Sequence, residues 1–237
     1  MSAPLLELEN VTVAGVSAPP LSLRVHEGEC GVLCAGDAAE AALLAEAVLG
    51  LETPSGGVVR LLDTDIYALP ERDRLALLAQ TGFVGAQGSL VENLKIWENL
   101  VLPAAYHGRL EKDADKVEAQ VLAVLAAAGE GPEWAERLLP GTPDALDPRD
   151  MRLAGLIRAW LGLPRLIVAE MLFTDQTEES GSGLADVLAW MMRQRPALGV
   201  LCLHHGAADA QHLHLHQLPK VWIMDTKGEG HAVPQEH

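Results

Sequence analysis

The chain has 237 residues, 49% of them hydrophobic and 21% charged, the balance of a globular protein long enough to bury a sizeable core. Its formal charge of −16 argues against nucleic acid or an anionic membrane surface as a direct partner, since both select basic proteins. No apolar run nears the roughly 18 residues of a spanning helix, and the first residues lack the basic-then-apolar pattern of a leader.

Leu6, Leu8, Val11 and Val13 alternate imperfectly and Leu21, Leu23 and Val25 cleanly, with Ala18-Pro19-Pro20 between them. This predicts an antiparallel strand pair, closed by Glu27-Gly28-Glu29. Val32, Leu33 and Cys34 form an apolar run between glycines and predict a strand buried on both faces. Asp37 then stands at a helix N-cap, with Glu40 three residues later as a capping box requires. Residues 38–49 are a good helix-forming mixture apart from Val48. Strand, tight glycine turn and helix is the scaffold on which P-loop proteins hold phosphate. This turn lacks the second glycine, the Lys and the Ser/Thr of G-x-x-x-x-G-K-[ST]; alanines and two acids replace them.

Pro54-Ser55-Gly56-Gly57 turns into a strand over residues 58–62, followed by a short helix over 70–78 and a strand over 81–84. From residue 94 to about 162 helices take over. Val117, Val121, Val124, Leu125 and Ala128 recur at helical spacing, as do Leu153, Leu156, Ile157, Trp160 and Leu161. Acidic positions in 111–118 make a solvated helix face, and residues 129–148, rich in Pro and Gly, hold turns. Residues 166–169 and 200–203 suit buried parallel strands. Between them a helix spans 184–192, after a flexible loop at 178–183. A last strand spans 221–224, and the tail beyond Lys227 is loose. Cys30, Cys34 and Cys202, unclustered and mostly in apolar strands, fit packing in a reducing compartment. The expectation is an α/β core, 1–93 and 163–237, interrupted by a helical insertion, 94–162.

Specific segments carry a family likeness. LELENVTV followed by LSLRVHEGE is similar to a pair of opening antiparallel strands, and LGLETPSGGVVRLLDTDI to the stretch after a P-loop helix. TGFVGAQGSL and NLKIWENLVLPAAYHG are similar to a glutamine-loop strand and the entry to a helical subdomain. Arg158-Ala159 with LGLPRLIVAE looks like the end of a signature helix and a Walker B strand, and VLCLHHG like a strand ending in a switch histidine. In order and spacing, from about Leu5 to Gly230, the chain resembles the ATP-binding cassettes (ABC) of ABC transporters. The resemblance implies an α/β, P-loop NTPase-like cassette with an N-terminal antiparallel β subdomain and an inserted helical subdomain. The ENLVLP-x-x-YHG wording is nearest to cassettes that energise lipid-trafficking permeases.

The resemblance also locates departures. The P-loop falls on Gly36, Asp37, Ala38, Ala39, Glu40, Ala41 and Ala42, and the first Lys of the chain is Lys95. The glutamine-loop position falls on Ala86, with Gln87 one place late. The LSGGQ signature becomes Leu146, Asp147, Pro148, Arg149 and Asp150. Glu170 stands at the Walker B aspartate, a carboxylate suited to Mg²⁺, and Met171 replaces the catalytic glutamate. No aromatic stands near Ala14 to stack adenine, and only His205, at the switch position, keeps its identity. Loss of a positioned general base costs about 10²–10⁴ in rate. Asp37 and Glu40 each repel a phosphate charge by about 3 kcal/mol at roughly 6 Å and an effective dielectric of about 20. The same acids favour the bare helix by about 0.3–1 kcal/mol each.

The family pairs its cassettes so that each ATP lies between one P-loop and the other chain's signature. A chain that lacks both spoils both composite sites, in a homodimer or a heterodimer. Leu94, Ile96, Trp97 and Leu100 lie where cassettes receive a permease's coupling helix. The resemblance therefore implies an integral membrane permease as partner through residues 94–100, and a peripheral place on the cytoplasmic face of the inner membrane. The expected function is a catalytically impaired structural or regulatory subunit without a nucleotide cofactor, binding ATP and Mg²⁺ only if the site still works. The alternative is a divergent, active ABC-type ATPase with Glu170 on Mg²⁺. His204, His205, His212, His214 and His216 form a cluster whose last three alternate along one strand face, either a metal site or a polar face.

Overall fold

The computed structural model describes residues 3–174, 178–206, 215, 217–227 and 230–232. The chain opens with β1 (Leu6–Thr12) and β2 (Leu21–Val25), antiparallel, with Leu6 opposite Val25 and Leu8 opposite Leu23. The imperfect alternation of β1 is a bulge: the register slips between Leu8 and Val11, and Asn10 takes a positive φ of 50°. β3 (Cys30–Ala35) is buried at every residue and runs into α1 (Ala38–Val48). β4 (Gly56–Leu61) and β5 (Thr64–Asp65) complete a first sheet in the order β2-β1-β4-β5.

After α2 (Glu71–Leu78) and β6 (Thr81–Val84) come the helices α3 (Ile96–Tyr106), α4 (Ala114–Ala127), α5 (Pro132–Leu138) and α6 (Pro148–Leu161). Then follow β7 (Leu166–Glu170), α7 (Glu178–Gln194), β8 (Gly199–His205), β9 (Val221–Asp225) and β10 (Gly230–Ala232). The second sheet runs β10-β9-β3-β8-β7-β6 and is parallel from β9 to β6.

Strand periodicity divides the interior into two cores. Val32 and Cys34 face one way, with Ile167, Ala169, Val200 and Cys202, onto apolar residues of α3, α4, α6 and α7. Leu33 and Ala35 face the other way, with Val168, Leu201 and Leu203, onto α1 and the first sheet. Sheet two is thus covered on both faces, which explains why its strands are continuous apolar runs. All three cysteines are buried thiols, not disulfides.

Three expectations are corrected. Residues 129–148 hold more than turns: Pro132 occupies the first turn of α5, where its missing N–H is no loss, and Trp134 and Leu138 pack into the core. Residues 178–183 are the first turns of α7, not a loop. The tail is not loose throughout, because β10 pairs antiparallel with β9 from Gly230 opposite Met224 to Ala232 opposite Trp222.

Candidate functional site

The turn between β3 and α1 is closed from within. Asp37 caps α1, its Oδ1 accepting from the Glu40 N–H at 2.8 Å. Glu40 does not return to the Asp37 N–H, as a capping box would. Its Oε2 accepts from the Gly36 N–H at 3.0 Å and its Oε1 from the Ser17 N–H at 2.8 Å, in the loop joining β1 to β2. A side chain at position 36 would put Cβ 2.8 Å from Glu40 Oε2, so glycine is what lets the carboxylate close over the turn. Ala38 and Ala39 are exposed, Ala41 is buried and Ala42 half-buried. The turn therefore presents alanine methyls and two carboxylates at the positive end of the helix dipole.

β8 brings His205 beside this turn. It lies in register with Ala35, and the Gly206 N–H donates to the Ala35 carbonyl at 3.2 Å. His204 is buried next to it, its Nδ1–H donating to the His205 carbonyl at 2.6 Å, with the two rings stacked 5.3 Å apart. His212, His214 and His216 lie outside the described residues. Among the described residues no group of three or more His, Cys, Asp or Glu is placed to hold a metal.

A cleft of about 760 Å³ opens at the end of β7, lined among others by Gly85, Ala86, Gln87, Glu92, Asp144 and Glu170. The Glu170 carboxylate accepts from the Ala86 N–H at 3.4 Å. Burial pushes its carboxyl above the usual range; the Ala86 N–H pulls the other way, and the Glu46 charge adds to the rise. The Ala86 carbonyl takes Arg152 Nε at 3.1 Å, and Arg152 Nη1 reaches the Thr174 carbonyl at 2.7 Å. That link ties the segment after β6 to the segment after β7. Met171 is a packing residue: buried with Leu201 and Leu203, at a positive φ of 50°, its N–H on the Leu203 carbonyl at 2.8 Å. Ala86, Gln87 and Glu170 are thus brought together, in a cleft lined by three carboxylates and, among the described residues, no cation.

The N-terminus of α6 is closed in the same manner as that of α1. Leu146 is buried, Asp147 caps the helix by accepting from the Asp150 N–H at 2.8 Å, and Pro148 has no N–H to offer. Arg149 is taken up by Glu130 at 2.6 Å, the Ala128 carbonyl at 3.2 Å and Asp150 at 3.3 Å. Asp150, 7% exposed, accepts from Trp134 Nε1 at 3.0 Å. Burial raises its pKa, opposed by the Trp134 donor and the Arg149 charge and reinforced by Asp147 and Glu130. A carboxyl whose folded pKa is raised stabilises fully below its ordinary value of about 3.9 and loses that contribution as pH rises through the folded value. Asp150→Asn, which keeps an acceptor for Trp134, is therefore expected to match or exceed the natural chain's stability at pH 7. Urea unfolding from pH 4 to pH 7 checks this: the natural chain should gain on the variant as the solution is acidified. A loss above about 1 kcal/mol at pH 7 would show that the ionised carboxylate contributes net stability.

Of the four apolar residues at 94–100, Ile96 and Leu100 are fully buried core. Only Trp97 lines a groove, of about 460 Å³, with Val121, Leu122, Leu139 and Pro140. Buried Asn99 pins the segment, accepting from the Val91 N–H at 2.7 Å and donating to the Val91 carbonyl at 3.0 Å. Sequence reasoning missed Ser17, Glu130, Trp134 and Arg152. Ser17 acts through its backbone N–H, which leaves no trace in the sequence. Arg152 follows the signature positions by two residues, a spacing that would have placed it at the same helix end.

No family model matches the chain. Over 208 residues it is 24% identical to the methionine import ATP-binding protein MetN 1 of Pseudomonas fluorescens, a match covering 84% of the chain and 60% of that protein. Over 181 residues it is 28% identical to the MetN of Leifsonia xyli, covering 76% and 50%. The chain thus spans between half and three-fifths of the length of these relatives. Among solved structures, the dimeric bacterial ABC transporter cassette MJ0796 superposes with a TM-score of 0.73 at 16% identity, covering 97% of the chain and 99% of that cassette. With two sheets and an interposed set of helices in the same arrangement, the chain has the fold of an ATP-binding cassette, and the relatives it is similar to are ATP-binding proteins of import systems.

Proposed function

We propose that the chain is a cassette-type subunit that does not hydrolyse ATP and serves a membrane permease as a structural or regulatory partner. The observation that carries this reading is the Glu40 carboxylate seated on the Gly36 and Ser17 amides. Amides at a helix N-terminus are a ready anion site. Here the anion is covalently part of the chain, and Asp37 adds a second charge beside it. A triphosphate does not fit such a turn. The self-capped signature segment at Asp147 and the apolar Met171 support the same reading.

In this reading the core comprises 1–93 and 163–237, the helical insert 94–162, and the permease docks on the insert. Trp97 and the half-buried Leu94 are the apolar contact residues available in 94–100, since Ile96 and Leu100 are used internally. The subunit sits on the cytoplasmic face of its membrane, paired with a second cassette; among the described residues no helix is long and apolar enough to cross a membrane.

Calorimetric titration with MgATP tests the proposal. The natural chain is compared with Asp37→Gly/Glu40→Lys, which changes two negative charges into one positive. Each pair of unit charges at about 6 Å is worth about 3 kcal/mol before screening at an effective dielectric of about 20, so the variant should bind at least about tenfold tighter. Tight binding by the natural chain, or steady phosphate release from it, would overturn the reading. That outcome would favour a divergent working ATPase, for which the Glu170 carboxylate at the cleft is the observation in hand.

A further inference from the structure

The C-terminal end of α6, opposite the end capped by Asp147, carries two arginines from other parts of the chain. Arg195, just after α7, gives Nη1 to the Trp160 carbonyl at 3.4 Å and lays its guanidinium 3.5 Å above the Trp160 ring. Arg109, a few residues after α3, gives Nη2 to the Leu161 carbonyl. The two head groups are thus held on neighbouring carbonyls, near enough for the Arg109 charge to act on Arg195. Trp160 is a fixed platform, buried and packed edge-on against Trp190 at 5.5 Å between ring centres. Its Nε1–H is buried and finds no acceptor among the described residues.

Neither arginine meets a carboxylate among the described residues, in a chain with 33 acids to 17 bases. Arg24, Arg60, Arg149 and Arg165 all do. Burial first, and the neighbouring Arg109 charge second, push Arg195 down to about 10, which leaves it charged at neutral pH. A single cation is enough to complement a helix C-terminus. Two on adjacent carbonyls repel each other, and each guanidinium keeps most of its five N–H donors for something else.

We infer that Arg109 and Arg195 together form a binding site for a phosphate dianion, free or as a small phosphomonoester. Guanidinium forks match phosphate oxygens bidentately, and a dianion neutralises both groups at once. The overall charge of −16 does not forbid this, because exposed charges farther than about 8 Å are largely screened at physiological ionic strength. The site lies at the other end of α6 from the signature positions and stands or falls independently of the nucleotide reading.

The test is thermal unfolding and calorimetry of the full chain with inorganic phosphate and with glycerol phosphate, against sodium chloride at equal ionic strength. Both phosphates should raise the unfolding temperature. Arg109→Gln and Arg195→Gln should each weaken binding about tenfold or more, since each removes charge-assisted hydrogen bonds. Arg24→Gln, which breaks an exposed pair with Glu7, should leave it unchanged. If a glutamine variant does not fold, Arg195→Lys takes its place, with weakened binding expected and natural affinity overturning the inference. No effect beyond that of chloride, natural affinity in both glutamine variants, or capture by phosphatidylglycerol vesicles alone would likewise overturn it.

Discussion

Trp134→Ala should lower the stability of the chain by about 4–8 kcal/mol. About 3–5 comes from emptying a buried indole site and about 1–3 from depriving the buried Asp150 carboxylate of its Trp134 Nε1 donor, which leaves it only the longer contact with Arg149 at 3.3 Å. Trp134 is 3% exposed and joins α5 to the core formed by α3, α4 and α6. Its bond to Asp150, at 3.0 Å, is also what holds the first turn of α6 against α5. Trp134→Phe separates the two parts: it keeps most of the volume and should cost only about 1–3 kcal/mol. Urea midpoints for both variants decide the matter. An alanine variant within about 2 kcal/mol of the natural chain would mean that α5 is peripheral to the core, and the closed α6 N-terminus would need another explanation.

The second large effect is expected at Gly88, in the turn that follows Gln87. Its φ is +73°, and a Cβ there would run into the Met151 carbonyl group, 2.7 Å from the carbonyl carbon. The approach is mutual, for a Cβ on Gly155 would lie 2.7 Å from the Gly88 oxygen and 3.0 Å from its Cα. Backbone touches backbone here, and no side chain can swing aside. Gly88→Ala therefore adds a left-handed residue, about 1–2 kcal/mol, to overpacking of about 1–3. A loss of about 2–5 kcal/mol is expected. Gly108→Ala is the control: φ is +64°, nothing lies within 4 Å of the added methyl, and only the conformational cost of about 1–2 kcal/mol applies. Equal melting temperatures for the two variants would dismiss the close packing of this turn on α6.

The sequence was most legible where one residue type serves one purpose. The run Val32-Leu33-Cys34 predicts a doubly covered strand because only burial on both faces tolerates unbroken apolar residues, and Asp37 predicts a helix start because its short carboxylate has few other uses. Legibility failed where composition and position compete. Pro132 in a stretch rich in Pro and Gly suggests a turn, yet at the first position of a helix proline is a starter. Gly230 to Ala232 carry no strand pattern of their own and become one only because β9 offers an edge. Ile96, Trp97 and Leu100 have the spacing of a helix face that suits an interface as well as a core; packing buries Ile96 and Leu100 and leaves Trp97 half-buried at a groove. At the candidate site, the acids of the turn were legible as charges, but the second amide held by Glu40 was not, because it belongs to a backbone 23 residues away. The likeness to lipid-trafficking cassettes rests on one short string, and the two relatives above are methionine import ATP-binding proteins.

The Glu40 bridge also sets the terms on which any visitor must compete. A ligand that is part of the chain cannot be diluted or washed away; its local concentration is of the order of millimolar for a short flexible tether and does not change with the composition of the medium. A free anion must therefore outbid a resident occupant, and its apparent affinity is divided by one plus the closing equilibrium of that occupant. The same closure links the loop around Ser17 to the first turn of α1, so that evicting the carboxylate would release two segments at once.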